Sequence, residues 1–344
     1  MKRLGVLLLL GFITMMVIGC SEDTGGNQGK ASNNNDDLES FKVGYMPNFA
    51  STYGVISSIE NGNFEDKGLD VELVEFEDGP TIISALESGS IQAGYIGPGA
   101  HVLPVQGEAK IFTFSHLGNA DEVIGNAEKG VVSIEDLKGK KIGVSTGTSS
   151  ETILNLALKE AGLSKDDVTL TDMDASALVT AMNSGGVDAV AAWSPNTNTI
   201  RAELGDDAVT LAQNEDYAEE FPSIASWVVS PSYADENADT IEKFTTGLYE
   251  GMDYQEDNTD EVVKLVAKQT AIDDAAVEEQ TEDAEWQTSQ DILDKLEDGT
   301  LEGYYKQQQE NFIEDGQLEE EDKVDVSEYL MLDNMKNAAE NANE

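Results

Sequence analysis

Lys42-Val43-Gly44-Tyr45 and Lys141-Ile142-Gly143-Val144 open two stretches with the same layout. The first runs through Leu69-Asp70-Val71-Glu72-Leu73 to Ile82-Ile83-Ser84-Ala85-Leu86-Glu87-Ser88-Gly89-Ser90-Ile91-Gln92-Ala93-Gly94. The second runs through Val168-Thr169-Leu170 to Leu178-Val179-Thr180-Ala181-Met182-Asn183-Ser184-Gly185-Gly186-Val187-Asp188-Ala189-Val190. Each reads as strand, helix, strand, helix, a Ser-Gly turn and a buried strand, so the pattern predicts two similar α/β lobes with parallel strands joined by helical crossovers. Two lobes leave a cleft between them, and a cleft is a place for a ligand.

Working outward, Lys2 and Arg3 precede an apolar run from Leu4 to Ile18 that ends at Gly19-Cys20. This is the layout of a secretory signal, predicted over residues 1–19, and the run is shorter than the roughly 20 residues of a membrane span. Val17-Ile18-Gly19-Cys20 resembles a bacterial lipobox, and Cys20 is the only cysteine in the sequence. Lipidation of Cys20 therefore explains it better than disulfide chemistry, for which it has no partner. The Ser-, Asn-, Gly- and Asp-rich residues 20–40 read as a disordered tether, because they bring too little apolar surface to fold. Residues 41–135 and 231–332 are expected to form lobe 1, residues 136–230 lobe 2, and 333–344 a disordered tail. The chain would cross between lobes twice, making a two-segment hinge.

Twenty Lys and Arg stand against 68 Asp and Glu, a formal charge of -48. That excludes nucleic acid as a partner, since binding it needs a basic footprint. The acid is spread along the whole chain, and such self-repulsion is best tolerated near 1 M salt, where the Debye length is about 3 Å. We read this as adaptation to a salty exterior. Calcium capture is the other reading, but no twelve-residue loop with alternating Asp/Asn and a terminal Glu is present.

In open parallel sheets, ligands sit beyond the carboxyl ends of strands, where helices begin. Ser145-Thr146-Gly147-Thr148-Ser149-Ser150 occupies that place in the second lobe, and Gly97-Pro98-Gly99-Ala100 in the first. Hydroxyls there act as helix caps or as neutral donors to a small oxyanion, and the glycines let a ligand approach backbone amides. Trp193-Ser194-Pro195-Asn196 and Trp227 stand at comparable strand positions, where an aromatic face can hold a cation. His101 and His116, the only histidines, have no metal-site spacing. With no Gly-x-Ser-x-Gly elbow and no second cysteine, the sequence offers no catalytic motif, metal or cofactor site.

The short blocks carry a resemblance. Leu117-Gly118-Asn119-Ala120-Asp121 is similar to a Leu-Gly-Asn-Ser-Glu segment of taurine-binding subunits, Asp188-Ala189-Val190-Ala191-Ala192-Trp193-Ser194-Pro195 to their Asp-Gly-Ala-Tyr-Val-Trp-Ala-Pro, and Ser226-Trp227-Val228-Val229 to their Val-Trp-Val-Val. From about Phe41 to near Leu318 the chain resembles extracytoplasmic solute-binding lipoproteins of ABC importers in the nitrate, sulfonate and taurine group. The resemblance implies a type II periplasmic-binding fold, no enzymatic activity, and a monomer lipid-anchored outside the membrane. It also implies partnership with the transmembrane subunits of an ABC permease, and a ligand that is taurine or a related sulfonate, with alkanesulfonate or nitrate as the alternative. The implied ligand set is Asn48, Gly97, Gly99, Asn119, Asp121, Thr148, Ser149, Ser150, Trp193 and Trp227. Thr148, Ser149, Ser150 and the Gly97 and Gly99 amides would hold the sulfonate, and Asp121 with Trp193 or Trp227 the ammonium. Ala120 stands where the family segment has serine, and Asp121 where it has glutamate.

Overall fold

Eleven strands among the described residues form two sheets. The computed structural model describes residues 38–344; the predicted signal, Cys20 and the tether up to residue 37 lie outside them. The strands are β1 (Glu39–Tyr45), β2 (Leu69–Glu75), β3 (Ala93–Ile96), β4 (Lys110–Gly118), β5 (Asp121–Asn126), β6 (Lys141–Val144), β7 (Thr169–Asp172), β8 (Ala189–Trp193), β9 (Ala208–Gln213), β10 (Ile224–Val229) and β11 (Ala284–Trp286). The first sheet has the order β11-β4-β10-β3-β1-β2 and the second β7-β6-β8-β5-β9.

The repeat read from the sequence is visible as β2-β1-β3 and β7-β6-β8, each a parallel trio with its first strand in the middle. Beyond each trio lies an antiparallel strand that arrives from the other lobe: β10 against β3, and β5 against β8. The chain therefore crosses between β4 and β5, at residues 119–120, and returns between β9 and β10, at residues 214–223. Both expected boundaries are corrected by this pairing. Residues 121–135 leave lobe 1 and residues 224–230 join it, because backbone hydrogen bonding assigns a strand to the sheet it pairs with.

Period-two alternation places the second sheet between two apolar layers. Val123, Ala189 and Ala191 face Ile153, Leu154, Ala157 and Leu158 of the helix Ser149–Glu160, whereas Ile124, Val190 and Ala192 face Leu178, Met182 and Ile200. The first sheet packs on the long helix Ala238–Thr270, whose Phe244 stacks on Phe41 with ring centroids 4.6 Å apart.

Two chain ends also depart from expectation. Strand β1 begins at Glu39, whose amide donates to the Gly68 carbonyl at 2.9 Å, so residues 39 and 40 belong to the sheet and not to the tether. The C-terminal segment is a helix, Leu332–Ala342, with Met335, Ala338 and Ala339 buried. These residues recur at helical spacing, and Asn334 Nδ2 donates to Phe112 O and Thr245 Oγ1, each at 2.9 Å. Small buried alanines let the helix approach its neighbours closely, so its polar composition did not make it a tail.

Candidate functional site

Several helix starts meet at the junction of the two sheets. Asn48 caps the helix Phe49–Asn61, its Oδ1 accepting from the Ser51 amide at 2.9 Å. Asp78 caps Gly79–Glu87 in the same way through Thr81. Thr148 caps Ser149–Glu160, and Gly97 precedes the short turn Pro98–His101. These N-termini border one cavity of about 70 Å³, several times the ~10–15 Å³ that a single water requires. Each α-helix brings partial positive charge and unpaired amides to that space.

Of the expected ligand residues, Asn48, Gly97, Asp121, Thr148, Ser149 and Trp193 line this cavity together. Within that group the Thr148 hydroxyl is already committed, donating to Ser145 O at 2.7 Å and accepting from the Ser150 amide at 3.2 Å. Ser149 is the hydroxyl of the run left to face the cavity, and a Cβ at Gly97 would meet nothing within 4 Å.

The other four serve the frame. Ser150 is fully buried, donating to Ala191 O at 2.6 Å and accepting from the Ser145 amide, so it ties the helix start to β8. Trp227 is buried within β10, edge-on to Tyr95 at 5.5 Å, and supports the cavity wall from behind. Asn119 joins the two crossings, its Nδ2 donating to Glu215 at 2.9 Å. Gly99 backs onto lobe 2: a Cβ there would lie 2.2 Å from the Thr148 carbonyl carbon and oxygen. Its missing side chain is what permits the contact between lobes.

The cavity also holds groups that the sequence reading did not select. Tyr95, His116, Ser194, Ser223 and Asp283 line it. Tyr95 shares a hydrogen bond with His116 Nε2 at 3.2 Å, and Ser115 meets Nδ1 at 3.0 Å. Burial lowers His116 to about 3, so the ring is neutral. Burial raises Asp121 to about 6, although the Ser149, Asn214 and Ser223 side chains oppose the shift. Asp283 is likewise raised to about 6 by burial, with Ser194 opposing and the charges of Glu122 and Asp121 adding to it. The Ser194 hydroxyl approaches Asp283 without completing a hydrogen bond of normal geometry.

Among the described residues, no lysine or arginine lines the cavity. An adjoining chamber of about 270 Å³ shares Met46, Asn48 and Trp193 with it and adds Glu75 and Glu77, again without a basic residue. Glu122, next to Asp121, is paired with Arg201 and accepts from Thr210 Oγ1 at 3.1 Å. Among the described residues, no cluster of three or more His, Cys, Asp or Glu side chains has metal-binding geometry.

A family model described as NMT1/THI5 like matches residues 48–262, from the first helix cap through β10 and into the long helix Ala238–Thr270. The chain belongs to the NMT1/THI5-like family. A Brucella abortus protein named only as a binding protein is 33% identical over 292 residues, covering 85% of this chain and 90% of that one. The taurine-binding periplasmic protein of Escherichia coli is 25% identical over 193 residues, 55% of this chain and 58% of that protein. Among solved structures, the alkanesulfonate-binding protein SsuA from Xanthomonas axonopodis pv. citri, bound to MOPS, aligns with a TM-score of 0.65 at 20% identity, covering 85% of this chain and 97% of that one. The fold of this NMT1/THI5-like chain is thus that of periplasmic binding proteins. The desulfurization enzyme DSZB shares it at a TM-score of 0.62 and 15% identity, covering 87% of this chain and 98% of that one, so fold alone does not separate binding from catalysis.

Position explains which site residues of this NMT1/THI5-like chain escaped sequence reading. Tyr95 sits inside an apolar strand and reads as core, and Ser223 lies in the returning segment. Asp283 stands in an acidic run that looks like solvated surface. The only signal for it was the short apolar pattern of β11 that follows, which pairs Ala284 with Gly118 beside the crossing.

Proposed function

We propose that this chain is the solute-binding subunit of an ABC importer, capturing taurine or a closely related aminosulfonate outside the cell and delivering it to a membrane permease. In this reading the protein is a monomer held at the outer membrane face by lipid on Cys20, works in a salt-rich exterior, and closes its lobes by bending at the two crossings without transforming the ligand. The observation that carries the reading is the mixed character of the cavity. Helix starts and the Ser149 hydroxyl suit a sulfonate, while the buried Asp121 and half-buried Asp283 carboxylates suit an ammonium, and no basic side chain among the described residues lines the space. A bare anion such as nitrate or an alkanesulfonate would be placed beside two carboxylates with no compensating cation, which disfavours the alternative.

The test is thermal denaturation at high salt with taurine, ethanesulfonate, nitrate and an amino-substituted pyrimidine. A ligand at 100 times its Kd stabilises by about 2.7 kcal/mol. Taurine should raise the midpoint while ethanesulfonate and nitrate leave it unchanged; an equal response to ethanesulfonate would defeat the reading. A second reading, an amino-substituted heteroaromatic, is favoured by the Tyr95, His116 and Trp193 rings in the cavity wall, and a response to the pyrimidine alone would select it.

A further inference from the structure

We propose that Asp283 is a second specificity-determining carboxylate, forming with Asp121 a paired receptor for a primary ammonium that is assembled by the backbone of the lobe crossings. This rests on the binding-protein reading and goes beyond it, because it names the group that selects the ligand and the place where that group docks.

The two carboxylates come from far apart in sequence and meet at one structural element. The Asp283 carbonyl accepts from the Asn119 amide at 2.6 Å, at the centre of the outgoing crossing. Its neighbour Ala284 pairs with Gly118, the last residue of β4. Asp121, two residues beyond Asn119, opens β5 opposite Trp193, and its amide donates to Asn214 Oδ1 of the returning crossing at 2.7 Å. Asp283 thus belongs to the edge of the first sheet and Asp121 to the start of the second, yet backbone bonds tie both to the crossing. Residues at a pivot move least when lobes rotate, so the separation of this pair is set before closure.

Neutral side chains reach the pair, Ser149, Asn214 and Ser223 at Asp121 and Ser194 at Asp283, but no cationic side chain is left to it. Arg201 is taken by Glu122, and His116 and Tyr95 stand neutral in the wall. Ser194 gives an independent sign that something is missing. It is 4% exposed, lines the cavity, and its hydroxyl has no hydrogen-bond partner among the described residues. Buried polar groups are ordinarily paired, so an orphan hydroxyl in the cavity shared by the buried Asp121 and the half-buried Asp283 marks where a ligand's donors and acceptors complete the network. A primary ammonium offers three N–H donors on one charge and can bond both carboxylates at once; a quaternary ammonium offers none.

Calorimetry at high salt with matched pairs of solutes, taurine with ethanesulfonate and β-alanine with propionate, tests the proposal in the wild type, Asp283→Asn and Asp121→Asn. Taurine should bind the wild type well above ethanesulfonate, and Asp283→Asn should weaken taurine at least ~30-fold, as expected for truncating one partner of a buried charged contact. The same variant should leave ethanesulfonate as weak or make it tighter. N,N,N-trimethyltaurine should bind the wild type poorly. If taurine is silent while β-alanine shows an amine preference lost in Asp283→Asn, the receptor stands and the taurine assignment falls. If Asp283→Asn folds with a wild-type circular dichroism spectrum and weakens taurine and ethanesulfonate equally, or if the wild type responds to neither amine, the proposal is overturned.

Discussion

Replacing Asp121 with asparagine should make the ligand-free protein more stable at neutral pH, even though it removes a binding residue. Asp121 is 5% exposed, and burial lifts it from its ordinary 3.8 to about 6. The folded state therefore holds this proton more tightly than the unfolded chain does, and the sign follows from linkage. Below pH 3.8 both states are protonated and nothing is lost. As pH rises from 3.8 to 6 the unfolded chain releases the proton first, so folding stability falls, and above 6 the deficit is constant. A difference of roughly two pKa units at 1.36 kcal/mol each makes that deficit about 3 kcal/mol. Asparagine keeps the shape and avoids the charge, and the bond from the residue's own amide to Asn214 is retained.

For about 300 ordered residues, 3 kcal/mol corresponds to roughly 5 °C in melting midpoint. The measurement is denaturation of exhaustively dialysed protein at fixed high salt, wild type against Asp121→Asn, at pH 7.5 and pH 5. The gain should be near its full value at pH 7.5 and about half at pH 5, where the folded aspartate is mostly protonated already. Holding salt fixed and comparing two proteins at each pH cancels the titration of the many other carboxylates. A loss of stability at pH 7.5, or a gain that ignores pH, would refute the claim that Asp121 is a charge held at a cost for its ligand.

Three further outcomes are expected. Gly99→Ala should destabilise the ligand-free protein by about 1–3 kcal/mol in melting curves and enlarge the radius of gyration in solution scattering, since its Cβ would lie 2.2 Å from the Thr148 backbone across the lobe contact. Arg201→Ala should destabilise by about 2 kcal/mol at pH 7.5 in urea titrations, because it strands Glu122, which is buried and which Arg201 helps keep ionised; the loss should shrink as pH falls and Glu122 takes up a proton. Ending the chain before Leu332 should cost more than about 3 kcal/mol by the same assay, as Met335, Ala338 and Ala339 and both Asn334 bonds are lost together.

The strands of the two trios were legible because β1, β3, β6 and β8 carry short apolar runs and β2 alternates apolar with acidic residues, patterns that report burial directly. β5 was not, because it opens with Asp121 and Glu122, two charged residues that only the cavity and Arg201 bring inside. The crossings shifted for a related reason. Strand membership is decided by hydrogen bonds to distant residues, and β5 and β10 each pair with a sheet whose other strands lie elsewhere in the chain. The hydroxyl run at 148–150 shows the same limit at atomic scale. Its place at a helix start followed from the pattern, but Ser150 is spent on Ala191 O, a partner 41 positions away, and the Thr148 hydroxyl on Ser145 O and the Ser150 amide, which leaves Ser149 to the cavity beside Asp121.

By itself, then, the amino-acid order determined the two-lobed α/β plan, the acidic character, and which strand ends would meet, since local periodicity and composition are properties of neighbouring residues. Tertiary structure decided which hydroxyls are free, that Trp227 and Gly99 serve the frame, and that Asp283 joins Asp121. Those outcomes depend on desolvation and on hydrogen-bond partners tens to hundreds of positions away, and a linear pattern carries no measure of either.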